Sequence, residues 1–261
     1  RKGAEYAKFR KGKPFNLTIQ FLFLNKTMNT ENRLAICFHR DLRAFAPLRL
    51  CGEVFKMPRN TIDSVVFDLG NVLISFNPRR LYRKLLPDEA SIDRFFAETN
   101  FDAWNAQLDA GLSFAEGIAA QGTRFPHYRP LFEAFFERWP EVIGGIIPES
   151  LALLQTLRRE GIHTYALSNF SGETYPLATR RFPFLNGFDG SVISGYEGLC
   201  KPDPAIYSLL LERYAIAPKR AVFIDDKLEN VETARQLGMH GIHFTDPQAL
   251  QPALRALGLP A

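Results

Sequence analysis

Three cysteines in 261 residues are too few for a disulfide framework. Cys37 and Cys51 fall in the first 56 residues and Cys200 stands alone beyond them, so a reducing, cytoplasmic setting is expected. Cys200 has no histidine near it in sequence and reads as a small buried or loop residue rather than a nucleophile. Long apolar runs are also missing. The longest in the leading segment, residues 19–24, is interrupted by Gln20 and is far too short to span a bilayer. His163, His240 and His243 border or sit in apolar runs without metal-ligand spacing, and His127 beside Pro126 reads as a loop residue. A soluble chain with no membrane partner is therefore expected.

Charge divides the chain. Residues 1–56 hold 12 basic and 4 acidic side chains, a net +8, whereas the remainder holds 20 basic and 24 acidic, a net −4. A nucleic-acid partner would need a basic patch on a domain, and the part from Met57 is mildly acidic, so none is expected. The leading segment begins with Arg1, scatters phenylalanines without periodicity and contains no serine, which argues against a transit peptide. Residues 1–56 are expected to be a basic extension, disordered or lying upstream of a true start at Met57.

What remains is 205 residues, enough for one α/β domain with a small insertion. Short apolar runs bounded by turn residues occur at 64–67, 163–167, 190–193, 221–224 and 240–244. Helical spacing fills most of the gaps, over 150–159, 204–214 and 229–237. Apolar strands alternating with amphipathic helices predict a parallel sheet covered on both faces. The alternation breaks between about residues 76 and 148, where no strand is expected and helical runs occur at 79–86, 91–98, 113–120 and 129–138. That stretch predicts a helical insertion after the first strand, lying over the sheet's carboxyl edge.

Four strand-terminal motifs carry chemistry. Asp68 ends Val65-Val66-Phe67 and opens the turn Leu69-Gly70-Asn71-Val72, putting a carboxylate at the edge where open α/β sheets bind ligands. Asp before a turn is also ordinary capping chemistry. Ser168-Asn169 ends the second strand, where a hydroxyl and an amide suit phosphoryl oxygens or a plain turn. Lys201 precedes Pro202-Asp203-Pro204 and is either a solvated charge or the counter-ion of nearby carboxylates. Asp225-Asp226, with Asn230 beyond, sets two carboxylates side by side. Such a pair repels itself unless a cation or basic group compensates, and Mg²⁺ takes one or two carboxylates plus phosphate and water. Capping by Asp225 is the plainer reading.

Order and spacing of these four motifs resemble the haloacid dehalogenase (HAD) superfamily over nearly all of residues 62–257. The helical insertion looks like the type 1 cap of subfamily I, implying a cap over 76–148 and a core over 57–75 and 149–261. The resemblance implies a Rossmann-like three-layer sandwich with a parallel sheet of order 5-4-1-2-3. It also implies a phosphatase acting on a small phosphorylated metabolite through an aspartyl-phosphate. Asp68 would attack phosphorus, with Mg²⁺ held by Asp68, the Gly70 carbonyl and Asp226. Ser168 and Asn169 would hold the transferring oxygens and Lys201 would pair with Asp68 and phosphate. Asp225 and Asn230 would anchor metal waters and orient Lys201.

One departure from the family pattern matters. Most HAD phosphatases carry a second Asp two residues after the first, as general acid and then base, and here that position is Gly70. A positioned acid–base group contributes about 10²–10⁴-fold. Family members acting on sugar 1-phosphates resemble this chain in their Asp-Leu-Gly-Asn-Val sequence, and an anomeric leaving group needs less protonation. A sugar 1-phosphate or acyl phosphate is thus the expected substrate. Two rivals stand beside this reading. A 2-haloacid dehalogenase would form an ester on Asp68 without metal, though Asp226 then has no counter-charge; a HAD-fold binding protein would have no need of Asp68, Ser168, Lys201 and Asp226 together. For the substrate side, Trp104, Asn105, Arg124, His127 and Tyr128 are candidates, with Trp104 expected to pack inside the insertion. Arg79 and Arg80, after Pro78, suit an anion or a solvated face.

Overall fold

The computed structural model describes residues 61–261; the expected extension over residues 1–56 lies outside them, together with Cys37 and Cys51. In chain order, β1 (Ser64–Phe67) and β2 (Ile74–Phe76) lead into a run of helices. These are α1 (Arg79–Tyr82), α2 (Glu89–Thr99), α3 (Phe101–Asp109), α4 (Phe114–Arg124) and α5 (Arg129–Glu137), closed by β3 (Ile143–Ile146). Strands and helices then alternate through α6 (Pro148–Arg159), β4 (His163–Ser168), α7 (Tyr175–Arg181), β5 (Gly190–Ile193), α8 (Ser194–Glu197) and α9 (Pro204–Arg213). The chain finishes with β6 (Ala221–Asp225), α10 (Leu228–Gln236), β7 (His240–His243) and α11 (Pro247–Ala256).

Five strands form one parallel sheet in the order β5-β4-β1-β6-β7. Numbered by first appearance within that sheet and read from β7, the order is the expected 5-4-1-2-3. The period-2 alternation of strand side chains sorts the interior into two layers. Val65, Phe67, Ala166, Val222 and Ile224 pack with Leu154 and Leu157 of α6 and Leu250 and Leu254 of α11. Val66, Tyr165, Leu167 and Phe223 pack with Ile206, Tyr207 and Leu210 of α9 and Ala234 of α10. Strands clad on both faces need continuous apolar sequence, as in Ser64–Phe67, which is buried throughout. Phe67 lies in register with Ala166 and with Ile224, so the carboxyl ends of β1, β4 and β6 share one edge.

Two expectations for the insertion need correction. A strand does occur there: β3 pairs antiparallel with β2. Its sequence, Ile-Gly-Gly-Ile, hides strand propensity behind two glycines. Gly144 lies against the Arg80 guanidinium, which a Cβ at that position would displace. The helix α3 was also missing from the expectation. Phe101, Trp104 and Leu108 are buried along it at helical spacing, but Asn100, in left-handed conformation, separates α2 from α3 and breaks the pattern. The expected run over 79–86 shrinks to the four residues of α1.

The insertion has its own aromatic interior. Phe101 stacks on Phe96 at 4.4 Å between centroids and meets Phe135 edge-on at 5.1 Å. Trp104, 1% exposed, packs at 4.9 Å from Phe132, inside the insertion as expected. Helix ends are fixed locally: Asp88 caps α2 by accepting the Ser91 amide, and the Ser113 hydroxyl caps α4 by accepting the Glu116 amide while donating to the Glu116 carboxylate. Truncating a buried aromatic removes both transfer energy and packing. Phe101→Ala is expected to lower the unfolding free energy by about 3–5 kcal/mol, read from urea denaturation; a loss below about 1 kcal/mol would contradict this packing.

Candidate active site

Asp68 stands one residue past β1, its amide donating to the Ile224 carbonyl at 2.8 Å. Its Oδ1 accepts from the Leu69 amide and the Ser168 hydroxyl, both at 2.7 Å, and from Lys201 Nζ at 2.9 Å. All of these contacts fall on one oxygen. Among the described residues none reaches Oδ2. The turn that follows is closed by the Leu73 and Ile74 amides on the Leu69 carbonyl, with Asn71 left-handed at φ 55°. Asn71 Oδ1 accepts the Phe76 amide while its Nδ2 donates to Asp226 Oδ2 at 3.3 Å, tying the first motif to the fourth. Gly70 has no steric duty here, since a Cβ added to it meets nothing within 4 Å.

Lys201 is the buried counter-charge. Its ammonium lies 2.9 Å from Asp68 and 2.6 Å from Asp225 Oδ2, and donates to the Leu167 carbonyl at 2.9 Å. Asn169 holds the lysine's backbone in a reciprocal pair at 2.8 Å each, Nδ2 to the Lys201 carbonyl and the Lys201 amide to Oδ1. Both polar atoms of that side chain are therefore engaged with the chain itself. Asp225 is fully buried and takes the Lys227 amide and both contacts from Asn230 Nδ2, at 2.9 and 3.0 Å. Burial works against the charge on Lys201, but Asp68 and Asp225 together hold its pKa above the ordinary lysine value. Burial pushes Asp68 up to about 6, with Lys201 opposing and Asp225 reinforcing.

Asp226 completes the cluster. One carboxylate oxygen from each of Asp68, Asp225 and Asp226 falls within 4.8 Å of the others. Burial, and then the neighbouring Asp225, raise the pKa of Asp226. Three carboxylates around one ammonium leave an excess of negative charge, and the donor set is all oxygen. Asn230 Oδ1 is buried without a hydrogen-bond partner, and the residue borders a cavity together with Asp68 and Asp226. An oxygen-liganded divalent cation with attached waters fits this set of groups.

Asp68, Gly70, Ser168, Asn169, Lys201, Asp226 and Asn230 all border one cavity of about 800 Å³, whereas Asp225 lies behind it, bonded to Lys201. The insertion supplies the opposite wall with Phe76, Arg79, Phe96, Phe101, Asn105 and Phe114. Arg79 is tied to Glu89 and Asp93, and Arg80 turns away to Ser75. Arg124, His127 and Tyr128 are not part of the lining, and Cys200 is. The residue that sequence reasoning missed is Asp109, at the last position of α3. It borders the cavity, accepts from Asn105 Nδ2 at 3.0 Å and is pushed up to about 7 by burial. The spacing of Phe101, Trp104 and Leu108 marks only the buried face of α3, so no signal in the sequence pointed to Asp109.

A family model for haloacid dehalogenase-like hydrolases matches residues 62–238. The chain belongs to the haloacid dehalogenase-like hydrolases. It is similar to a sesquiterpene phosphatase of Aspergillus oryzae, 28% identical over 200 residues that cover 76% of this chain and 97% of that one. A shorter match, 36% identical, covers 45% of this chain and 11% of an acyl-CoA dehydrogenase family member 10 of Mus musculus. Among solved structures it resembles a HAD family enzyme of Bacteroides thetaiotaomicron, in complex with magnesium and inorganic phosphate. That neighbour is 25% identical with a TM-score of 0.57, covering 72% of this chain and 98% of the other. As a HAD-like hydrolase the chain is an enzyme. No helix among the described residues is long and apolar enough to cross a membrane.

The raised pKa of Asp109 has a stability consequence. A carboxyl that binds its proton more tightly when folded makes the folded state the proton-richer one between about pH 4 and pH 7. Folding stability is therefore expected to fall as pH rises through that window in EDTA, and Asp109→Asn should flatten that part of the slope. Urea unfolding at steps of pH measures it; an unchanged slope in the variant would contradict the assignment.

Proposed function

We propose that this chain is a magnesium-dependent phosphomonoester hydrolase in which Asp68 accepts the phosphoryl group, with a sugar 1-phosphate as favoured substrate. The observation that carries the reading is the one-sided engagement of Asp68. Ser168, Lys201 and the Leu69 amide all bond Oδ1, which leaves Oδ2 for attack on phosphorus. The phosphatase relative and the neighbour holding magnesium and phosphate support it. Asp68, the Gly70 carbonyl and Asp226 would hold Mg²⁺, with Asn230 and Asp225 as its outer supports. The ion supplies charge compensation between the anionic nucleophile and the anionic phosphoryl group. The division into a core over 57–75 and 149–261 and a cap over 76–148 belongs to the same reading.

The chain's own groups do the rest. Lys201 screens Asp68 from the incoming phosphate, and Asp225, anchored by Asn230, holds the ammonium in place. Ser168 turns the Asp68 carboxylate. Asn169 fixes the Lys201 loop through its side chain, which leaves its backbone amide as the group to meet a phosphoryl oxygen. Catalysis then rests on positioning and electrostatic compensation, as phosphoryl transfer requires. Gly70 offers no proton to the leaving group, which favours one that departs readily, such as an anomeric oxygen.

A second substrate reading has its own observation. Phe76, Phe96, Phe101, Phe114, Trp139 and Phe170 border the cavity and suit an apolar organic moiety, in keeping with the name of the fungal relative. A panel of a hexose 1-phosphate, an isoprenyl phosphate and glycerol phosphate, assayed with Mg²⁺ and with EDTA, tests both. The expected result is magnesium-dependent phosphate release, highest in kcat/KM for the hexose 1-phosphate and lost in Asp68→Asn. A preference for the isoprenyl phosphate would favour the apolar reading. A preference for glycerol phosphate, or halide release from a 2-haloacid in EDTA, would overturn the proposal. Since a Cβ at position 70 meets open space, Gly70→Asp is expected to fold and to raise glycerol phosphate turnover at least ten-fold.

A further inference from the structure

A readily departing leaving group answers only half of the deficit at Gly70. The family's missing Asp would serve twice, protonating the leaving group and then activating the water that hydrolyses the enzyme-bound phosphoryl group. The second step is the same whatever left in the first. Water must still be deprotonated as it attacks phosphorus, so a base is needed that the motif around Asp68 does not contain.

We propose, resting on the reading of Asp68 as phosphoryl acceptor, that Asp109 at the carboxyl end of α3 is the general base for that water. Asp109 borders the same cavity as Asp68 and is half-buried, open to the cavity rather than sealed off. Its position is built by the sheet's edge loops. The Ser194 hydroxyl donates to the Asp109 carbonyl and accepts from the Phe170 amide, clamping the end of α3 between the loops after β4 and β5. Gly195 packs against Phe170 and Gly172 too closely for any Cβ, and its carbonyl meets Gly111 just beyond Asp109. The side chain is oriented by Asn105, whose Nδ2 donates to it at 3.0 Å.

The charges facing it are Asp68 and Lys227 from the sheet side, with the Cys200 thiol nearby. Burial outweighs the pull of Lys227 and leaves the carboxyl titrating at about 7, close to the working pH of a general base. In the step itself, a water oxygen forms a bond to phosphorus while Asp109 takes one of its protons. The bond from phosphorus to Asp68 breaks with its electron pair returning to the Asp68 carboxylate. Inorganic phosphate leaves, and the proton passes from Asp109 to solvent.

The test uses p-nitrophenyl phosphate, whose leaving group needs no acid, in rapid mixing with the magnesium-loaded protein. Asp109→Asn is expected to release a burst of nitrophenolate equal to the enzyme, then turn over about 10²–10⁴-fold more slowly than wild type. A phosphate adduct should accumulate at Asp68 in the intact mass. Adding Gly70→Asp to that variant should restore turnover at least ten-fold. Slow turnover without burst or adduct, or unchanged turnover, overturns the role of Asp109. Activity surviving in Asp68→Asn would instead sink the phosphoryl-acceptor reading beneath it. A readout that leaves position 109 intact is kcat against pH. It should fall below neutrality in two steps in wild type, as Asp109 and then Asp68 take up protons, and Gly70→Asp should shift the upper step to lower pH. An unmoved profile overturns the proposal as well.

Discussion

A single ammonium holds the site together. Lys201 lies almost wholly buried between Asp68 and Asp225, and the positions of four sheet-edge loops follow from satisfying it. Removing water from three charges is costly, and such a cluster persists only where each remaining polar atom finds a partner. Leu167, Ser168 and Asn169, consecutive at the end of β4, and Asn230 on α10 supply those partners. The parallel sheet makes this possible because it delivers the ends of β1, β4 and β6 in register at one edge.

The same arrangement separates roles among four carboxylates. Asp225 is sealed off and bound on both oxygens, so it acts on Lys201 rather than on a ligand. Asp68 is bound on one oxygen only, and Asp226 lies nearer the cavity, held by Asn71. Asp109 arrives from the helical layer, outside the lysine's reach, and keeps its proton to higher pH than the others' ordinary range. Chemically similar groups thus differ because burial and neighbours differ.

Most of the sheet was legible in the sequence because its strands are short, apolar and ended by polar residues. The pattern at Val65-Val66-Phe67-Asp68 and at Phe223-Ile224-Asp225-Asp226 fixed both identity and polarity of the central strands. The insertion was harder. Its β3 is masked by Gly144 and Gly145, and α3 is separated from α2 by a single left-handed Asn100. Asp109 went unseen because nothing in local sequence links it to Asp68; the two meet only as walls of one cavity, with the end of α3 held there by Ser194. Asn169 offers the converse lesson, since its residue type suggested a ligand contact and its side chain is spent on Lys201. A strand-end motif says which residues reach the edge, and tertiary contacts decide what remains unengaged.

The central claim is a covalent bond between Asp68 and phosphorus. Borohydride reduction of protein quenched during turnover converts an acyl phosphate on aspartate to homoserine, which peptide mass spectrometry can locate. The account predicts homoserine at position 68 and nowhere else, appearing only when substrate is present. An unmodified Asp68 under conditions where phosphate is being released, or reduction at another carboxylate, would contradict it.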